Sequence, residues 1–550
     1  MSVGGQVSEG WTFADVWEVV AEKLPDAPAL VHGPVRRSWR ELDERAGGVG
    51  AWLLGLGVER QDKVAHYLYN CPEYLESMFG IFKVSLCPVN TNYRYADEEL
   101  LYLWDNADAV AVAFHGTFAE RIERLRPQLP RVKGWLWVDD GSGPCPAWAT
   151  PYESVASSSG ASGASGSPSH VQGPWGRSGD DLYLLYTGGT TGMPKGVMWR
   201  QDDLFSILNS TSLGVRYPEG EPDLDAVRRS ISQPGYKVTP ACPLMHGTGA
   251  FTSFAALTTG GCVVTLEARS FDAEELLDTV EREKVNALAI VGDAFAKPML
   301  RALDANPGRW DVSSLLAIVS SGVMWSEETK QGLLKHHAGM LLADQFSSSE
   351  ALGMGSSVST AAGTSHTAAF RLGENAIVLT EDGRRVEAGS GETGLVAVRG
   401  RTPIGYYKDE EKTARTFKVV DGERYSIPGD YATVEADGTL RLLGRGSVCI
   451  NTGGEKVFPE EVEEALKTHP SVQDAVAVGV PDEKWGEAIV AVVEGAEIDE
   501  ADVIAHVKAR LASFKAPKRV LVVDTIGRAP NGKVDYKRLK AFAAAELGAN

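Results

Sequence analysis

The run Tyr186-Thr187-Gly188-Gly189-Thr190-Thr191-Gly192-Met193-Pro194-Lys195-Gly196 has the composition of a loop that holds phosphate. Glycines let backbone N–H groups close on anionic oxygens, the three threonines add hydroxyl donors, and Lys195 brings a compact positive charge. The same residues could form a Gly/Thr hairpin without function. The length of the ordered match, directly after the strand-like residues 182–185, favours the phosphate reading. A second pairing of glycine and lysine, Gly527-x4-Gly532-Lys533, nearly spells a P-loop after the strand-like residues 519–523. Val534 stands where a P-loop needs a Mg²⁺-binding hydroxyl, and Pro530 has no N–H to give, so Lys533 needs another explanation. A third turn, Ser321-Gly322-Val323, joins a strand-like to a helix-like segment, the kind of strand end where α/β sheets collect ligands.

The 186–196 run resembles the signature loop of the adenylate-forming superfamily, which includes acyl-CoA synthetases, peptide-synthetase adenylation domains and luciferases. Further motifs follow in that family's order from about Thr12 to Leu539. The resemblance assigns Thr187, Gly188, Gly189, Thr190, Thr191, Gly192 and Lys195 to ATP. Pro243-Leu244-Met245-His246-Gly247 is similar to the motif whose aromatic or His residue stands between acyl pocket and reacting carboxylate, which makes His246 a gate; otherwise it is a core or capping histidine. Gly322 and Val323 would lie against adenine. Asp344-Gln345-Phe346-Ser347-Ser348-Ser349-Glu350 is similar to an aromatic-Gly-x-Thr-Glu pattern, with Ser347 in place of Gly. The match implies that Phe346 stacks on adenine, Ser349 offers a hydroxyl and Glu350 supplies the hard oxygen that Mg²⁺ prefers. Asp430 would accept from both ribose hydroxyls, and Arg445 would contact the nucleotide just before a hinge at Ser447. At that hinge, relatives usually carry Asp or Lys.

What the resemblance implies is a two-step ligase using ATP, Mg²⁺ and coenzyme A: a carboxylic acid becomes acyl-AMP with release of pyrophosphate, then the thiol takes the acyl group. Lys533 would enter from a small C-terminal domain to offset the charge that builds when carboxylate meets α-phosphate. Rotation of that domain would then open a coenzyme A channel lined by Ile450, Gly453, Gly454 and Lys456. His246, Gly247, Gly292, Asp293, Val323 and Met324 would wall the acyl pocket. Asp293 is its one charged residue, which favours a bulky apolar acid over an amino acid. The 446–456 run and Met198-Trp199-Arg200 are similar to bacterial synthetases for long-chain, steroid-side-chain or terpenoid acids. Two other readings stay open: an enzyme that loads a carrier protein or stops at acyl-AMP, and a non-catalytic nucleotide-binding protein. The joint presence of Lys195, Glu350, Asp430 and Lys533 speaks against the latter.

Positioning these residues takes more than one core, since 550 residues exceed what one usually serves. Apolar runs alternate with amphipathic stretches: strands are expected at 63–68, 109–113, 262–266, 286–291 and 315–320, helices at 73–80, 272–283 and 326–335. This rhythm predicts a layered α/β domain with parallel sheet and a β-rich subdomain, spanning 1–444. Thr12 is the expected N-cap of a first helix ending at Pro25. A Ser/Gly/Ala-rich stretch, 156–170, reads as a flexible surface loop. After a hinge at 445–447, a small mobile α+β domain is expected over 448–550, with helices at 459–468 and 501–513 and strands at 474–480, 488–493 and 519–523.

The bulk composition narrows the partners. A formal net charge of -20 repels phosphate backbones, so small molecules are expected rather than nucleic acid. With 43% hydrophobic residues and no long apolar run, no integral membrane segment is expected. The six cysteines are scattered without CxxC spacing, and residues 1–10 lack the features of a secretory signal, which suggests a cytoplasmic setting. A homodimer is left open.

Overall fold

The protein is described here from a computed structural model, which describes residues 10–157, 170–189, 192–212, 214–452, 455–482, 485–529 and 532–548. It is a mixed α/β structure with a large N-terminal and a small C-terminal domain. The first helix, Phe13–Lys23, starts where the Thr12 hydroxyl accepts the Asp15 N–H and buries Phe13, Val16, Trp17 and Val20.

Two sheets build the large domain. In one, the strands Pro28–His32, Cys262–Thr265, Lys237–Pro240, Ala287–Ile290, Ala317–Ser321 and Leu341–Ser348 run parallel in that spatial order. Their apolar runs are near-continuous because helices cover the sheet, as parallel strands require. In the other, Lys63–Tyr67, Cys87–Asn90, Ala109–His115 and Gly134–Val138 are parallel, and the antiparallel hairpin Leu182–Gly189/Gly192–Arg200 joins beside Cys87–Asn90.

Parallel pairing was the sequence expectation, and it holds only for these cores. From residue 341 the first sheet turns antiparallel: Leu341–Ser348 pairs with Ala351–Ser359, and the sheet continues through Ala369–Leu372, Thr439–Arg445 and Asp430–Val434. Short connections such as residues 349–350 allow only antiparallel return. The small domain has its own sheet, Glu455–Val457, Ile450–Thr452, Gly486–Gly495, Val472–Asp482 and Arg519–Val523, under the helices Pro459–Lys467, Glu500–Lys508 and Tyr536–Glu546. A single 3₁₀ turn, Gly446–Val448, connects the two domains' sheets. Among the described residues no helix is long and apolar enough to cross a membrane.

Candidate active site

The parallel strands of the first sheet end at one edge, and the residues that follow those ends converge there. Pro240 leads to the 243–247 motif, Ile290 to Gly292 and Asp293, and Ser321 to Gly322. Gly292 has φ +52, and a Cβ there would meet the Met324 carbonyl at 2.4 Å, so this crossing needs glycine. Gly322 has φ +96, and a Cβ there would be in ordinary contact with Val291 at 3.7 Å. Asp293 accepts from the Ser326 N–H and hydroxyl, both at 3.1 Å, and pairs with Lys297 at 3.5 Å. Its carboxylate therefore holds the next helix start.

The run read as a phosphate loop contributes to the Leu182–Gly189/Gly192–Arg200 hairpin, in which Thr187 lies opposite Lys195. Buried Asn90 ties the hairpin to the His246 motif: its amide donates to the Tyr186 and Met245 carbonyls at 2.8 and 2.7 Å and accepts the Tyr186 N–H at 2.6 Å. Asn70 grips the same motif from the other side, accepting the Leu244 N–H at 2.7 Å and donating to Cys242 at 3.1 Å. Thr190 and Thr191 lie outside the described residues, as do Gly453 and Gly454.

Glu350 sits at the turn of an antiparallel hairpin. The Tyr406 hydroxyl donates to its Oε1 at 2.7 Å, and its carbonyl accepts from the Ser426 hydroxyl at 2.7 Å. Burial, followed by the Glu350 charge, raises the Tyr406 phenol above the ordinary tyrosine range and keeps it a neutral donor. Trp199, from the phosphate-loop hairpin, donates to the Ser349 carbonyl at 3.0 Å. The Ser347 and Ser348 hydroxyls accept from Gly353 and Ala351 N–H groups and stabilise the turn. Asp344, beside Gln345, is buried with Lys330 at 3.5 Å; burial, opposed by Lys330, pushes its carboxyl up to about 6. Phe346, expected to stack on adenine, is 8% exposed and packs against Phe370 at 5.4 Å between ring centres in the β-rich core.

Asp430 and Arg445 are cross-strand partners, joined Oδ1 to Nε at 3.2 Å. Asp430 Oδ2 is shut off from solvent and has no hydrogen-bond partner among the described residues, so one acceptor is left unspent. Lys533 reaches this group from the small domain. Its charge acts on His246, and it is itself influenced by Arg445, Glu350 and Asp430. Its side chain is exposed to solvent. Crowding by protein, then the Arg445 charge, pull its ammonium below the ordinary lysine range, while Glu350 and Asp430 pull it up. Burial, with Lys533 second, takes the His246 ring down to about 3 and leaves it neutral.

The turn carrying Lys533 is braced by Arg528, whose guanidinium pairs with Asp474 at 2.5 and 2.8 Å and donates to the Gly532 carbonyl at 3.1 Å. Gly532, φ +70, docks on the large domain: a Cβ there would stand 3.0 Å from Ala294 and 3.4 Å from Val291 and Val323. Beside this contact lies a cleft of about 290 Å³, lined by residues including Phe271, Phe295, Val323, Met324, Ile526 and Gly532.

Ile450, expected to line the coenzyme A channel, is 1% exposed and packs in the small-domain core with Val457, Val462 and Ala477. Its strand points Ile450 and Thr452 inward and Asn451 outward. Only the backbones of Ser447 and Lys456 are described.

The family profile described as AMP-binding enzyme matches residues 17–407, and the one described as AMP-binding enzyme C-terminal domain matches residues 461–533. The chain belongs to the AMP-binding enzyme family. This AMP-binding enzyme is 41% identical to a medium/long-chain-fatty-acid–CoA/3-oxocholest-4-en-26-oate–CoA ligase of Mycolicibacterium smegmatis, over 96% of this chain and 95% of that protein. It is 39% identical to a 3-oxocholest-4-en-26-oate–CoA ligase of Rhodococcus rhodochrous, over 96% and 95%. Its fold matches the crystal structure of an anthranilate CoA ligase in complex with anthranoyl-AMP, with TM-score 0.82, 21% identity and 99% of each chain covered.

Proposed function

We propose that this AMP-binding enzyme is an acyl-CoA synthetase for bulky or long apolar carboxylic acids. The observation that carries the reading is the meeting of Lys533, from the small domain, with His246, Glu350, Asp430 and Arg445 on the large one. In the first step a carboxylate oxygen attacks the α-phosphorus of ATP, the bond to the β-phosphate oxygen breaks, and acyl-AMP and pyrophosphate form. Two anions repel, so the site must hold cations where charge develops: Lys195 on the hairpin, Lys533 on the closing turn, and the loop amides. Neutral His246 can stand beside the carboxylate without adding charge. The free oxygen of Asp430 suits a ribose hydroxyl.

Mg²⁺ fits the donor set. Among the described residues no three His, Cys, Asp or Glu gather, so Glu350, steadied by Tyr406, would hold the ion together with phosphate oxygens and water, as Mg²⁺ usually is held. Bound there, it would neutralise phosphate charge. In the second step the thiol of coenzyme A attacks the acyl carbonyl, loses its proton and expels AMP. That step requires Lys533 to withdraw, and the turn at Gly446–Val448 is the place for it. The cleft beside Gly532 mixes Phe271, Phe295, Val323 and Met324 with charged groups such as Asp293, Lys297 and Arg301, so the choice of an apolar acid is supported by the fatty and steroid acids named for the two ligases near 40% identity.

The test is a panel of fatty, steroid and terpenoid acids incubated with ATP, Mg²⁺ and coenzyme A, with mass spectrometry of adenylate and thioester. Acyl-CoA with equimolar AMP is expected from long or polycyclic acids. Adenylate without thioester, or transfer only to a carrier protein, would overturn the coenzyme A assignment. No acid-dependent pyrophosphate would overturn the ligase reading itself.

A further inference from the structure

Glu460 stands on the first turn of the helix Pro459–Lys467, just beyond the 3₁₀ turn that joins the domains. Its Oε1 accepts the Arg445 N–H at 3.4 Å, back across that turn. Its Oε2 lies against Gly444, where a Cβ would come within 2.1 Å of it, and has neither solvent nor a partner among the described residues. The charged and titratable groups that face it are Glu463 on its own helix, Asp430 on Asp430–Val434, Arg445 on Thr439–Arg445 and Tyr536 on Tyr536–Glu546. Arg445 directs its guanidinium to Asp430, and Tyr536 donates to Glu463 at 2.9 Å. A carboxylate wedged there has two carboxylates beside it and one oxygen that nothing solvates.

We propose that Glu460 is a positioning residue which opposes the adenylating arrangement when ionised and permits it when protonated, so that each swing of the small domain takes up and releases one proton. The inference rests on the two-step reading above. Every atom beyond the turn moves relative to Gly444 and Arg445 when the small domain rotates, so Glu460 leaves its niche for water in the open arrangement. The direction follows from the niche: burial, then Glu463, push the closed-state carboxyl up to about 8, from an ordinary value near 4.5. Closure therefore costs no proton below about 4.5, becomes harder by up to about tenfold per pH unit above it, and levels off beyond about 8.

The experiment compares wild type with Glu460→Gln, which keeps an acceptor for Arg445 and cannot ionise. Acid-dependent pyrophosphate exchange with dodecanoate, or with the best acid of the panel, reports adenylation; turnover of prepared acyl-AMP with coenzyme A reports thioester formation. From pH 6 to 8 the wild-type ratio of the first rate to the second should fall severalfold to tenfold per unit, and the Gln variant's ratio should stay level. Equal slopes in the two proteins would overturn the proposal. Calorimetry at pH 7, in two buffers of different ionisation enthalpy, with a non-hydrolysable dodecanoyl-adenylate mimic provides a measure on wild type alone. Uptake approaching one proton is expected, and none would overturn the proposal even if the variant fails to fold. Wild type with no pyrophosphate exchange for any acid would instead sink the ligase reading, and proton uptake on binding the mimic would still decide the role of Glu460.

Discussion

Lys533→Ala separates the two half-reactions most sharply. Loss of one preorganised donor at a developing negative charge costs about 10²–10³ in rate, or roughly 2.7–4 kcal/mol. The structure places this case at the upper end, because the neighbouring cations cannot substitute: Arg445 is tied to Asp430 at 3.2 Å, and His246 is neutral with its ring down at about 3. Acid-dependent pyrophosphate exchange should therefore fall about 10³-fold, with thioester formation from prepared acyl-AMP changed by less than about threefold. The pH profile adds a second reading. A lysine held below its ordinary range loses its proton, and the adenylation rate with it, as pH rises through that lowered value. The alkaline fall owed to Lys533 should thus come earlier than a free lysine predicts, and that part of the profile should vanish in the variant. An equal loss in both half-reactions, or a drop in exchange smaller than tenfold, would refute the placement of Lys533 at the α-phosphate.

Three further outcomes follow from the geometry. Tyr406→Phe removes a 2.7 Å hydrogen bond to a charged carboxylate, a contact of about 1.5–3 kcal/mol, so titration of activity with Mg²⁺ should shift to roughly ten- to hundredfold higher concentration. Gly532→Ala meets both a positive φ and Ala294 at 3.0 Å; at about 1–3 kcal/mol, adenylation should slow about 5- to 100-fold and thioester formation from acyl-AMP should hold, as stopped-flow on each step would report. Asp430→Asn gives up one of two acceptor oxygens and the charge that pairs with Arg445, so the KM for ATP should rise about tenfold with the KM for the acid nearly constant in initial-rate assays.

The parallel cores were legible because covered strands write near-continuous apolar runs. The expected strand at 519–523 is Arg519–Val523, Thr12 caps the first helix as expected, and the helices expected from 272 and 326 start one residue later, behind the caps Asp272 and Ser326. The antiparallel half of the first sheet was much less so, since its register depends on partners far along the chain: Ala369 meets Arg441, and Gly394 meets Ala432. The burial of Phe346 and Ile450 was hidden for the same reason. A motif gives the order of residues, and on a strand one step of register decides whether a side chain faces ligand or core. Asn90, Tyr406 and Arg528 were missed because each acts across a long sequence interval, as Tyr406 does on Glu350, and Trp199, read only within the Met198-Trp199-Arg200 run, hid its bond to Ser349 in the same way. No local pattern marks them. Asn70, after one strand of the second sheet, and Asn90, at the end of another, could have been suspected only as isolated amides next to apolar runs.

The seat of Gly532 on Val291, Ala294 and Val323 makes one surface serve two masters. Val323 belongs to the wall expected to select the acid, Val291 and Ala294 flank its Gly292 and Asp293, and all three form the floor on which the lysine-bearing turn comes to rest. Reshaping that wall to admit another acid therefore tilts the turn as well. Variants with altered substrate preference at these three positions should show their cost in the turnover of acids they bind perfectly well, and recovering speed will require compensating changes across the gap, in the turn itself.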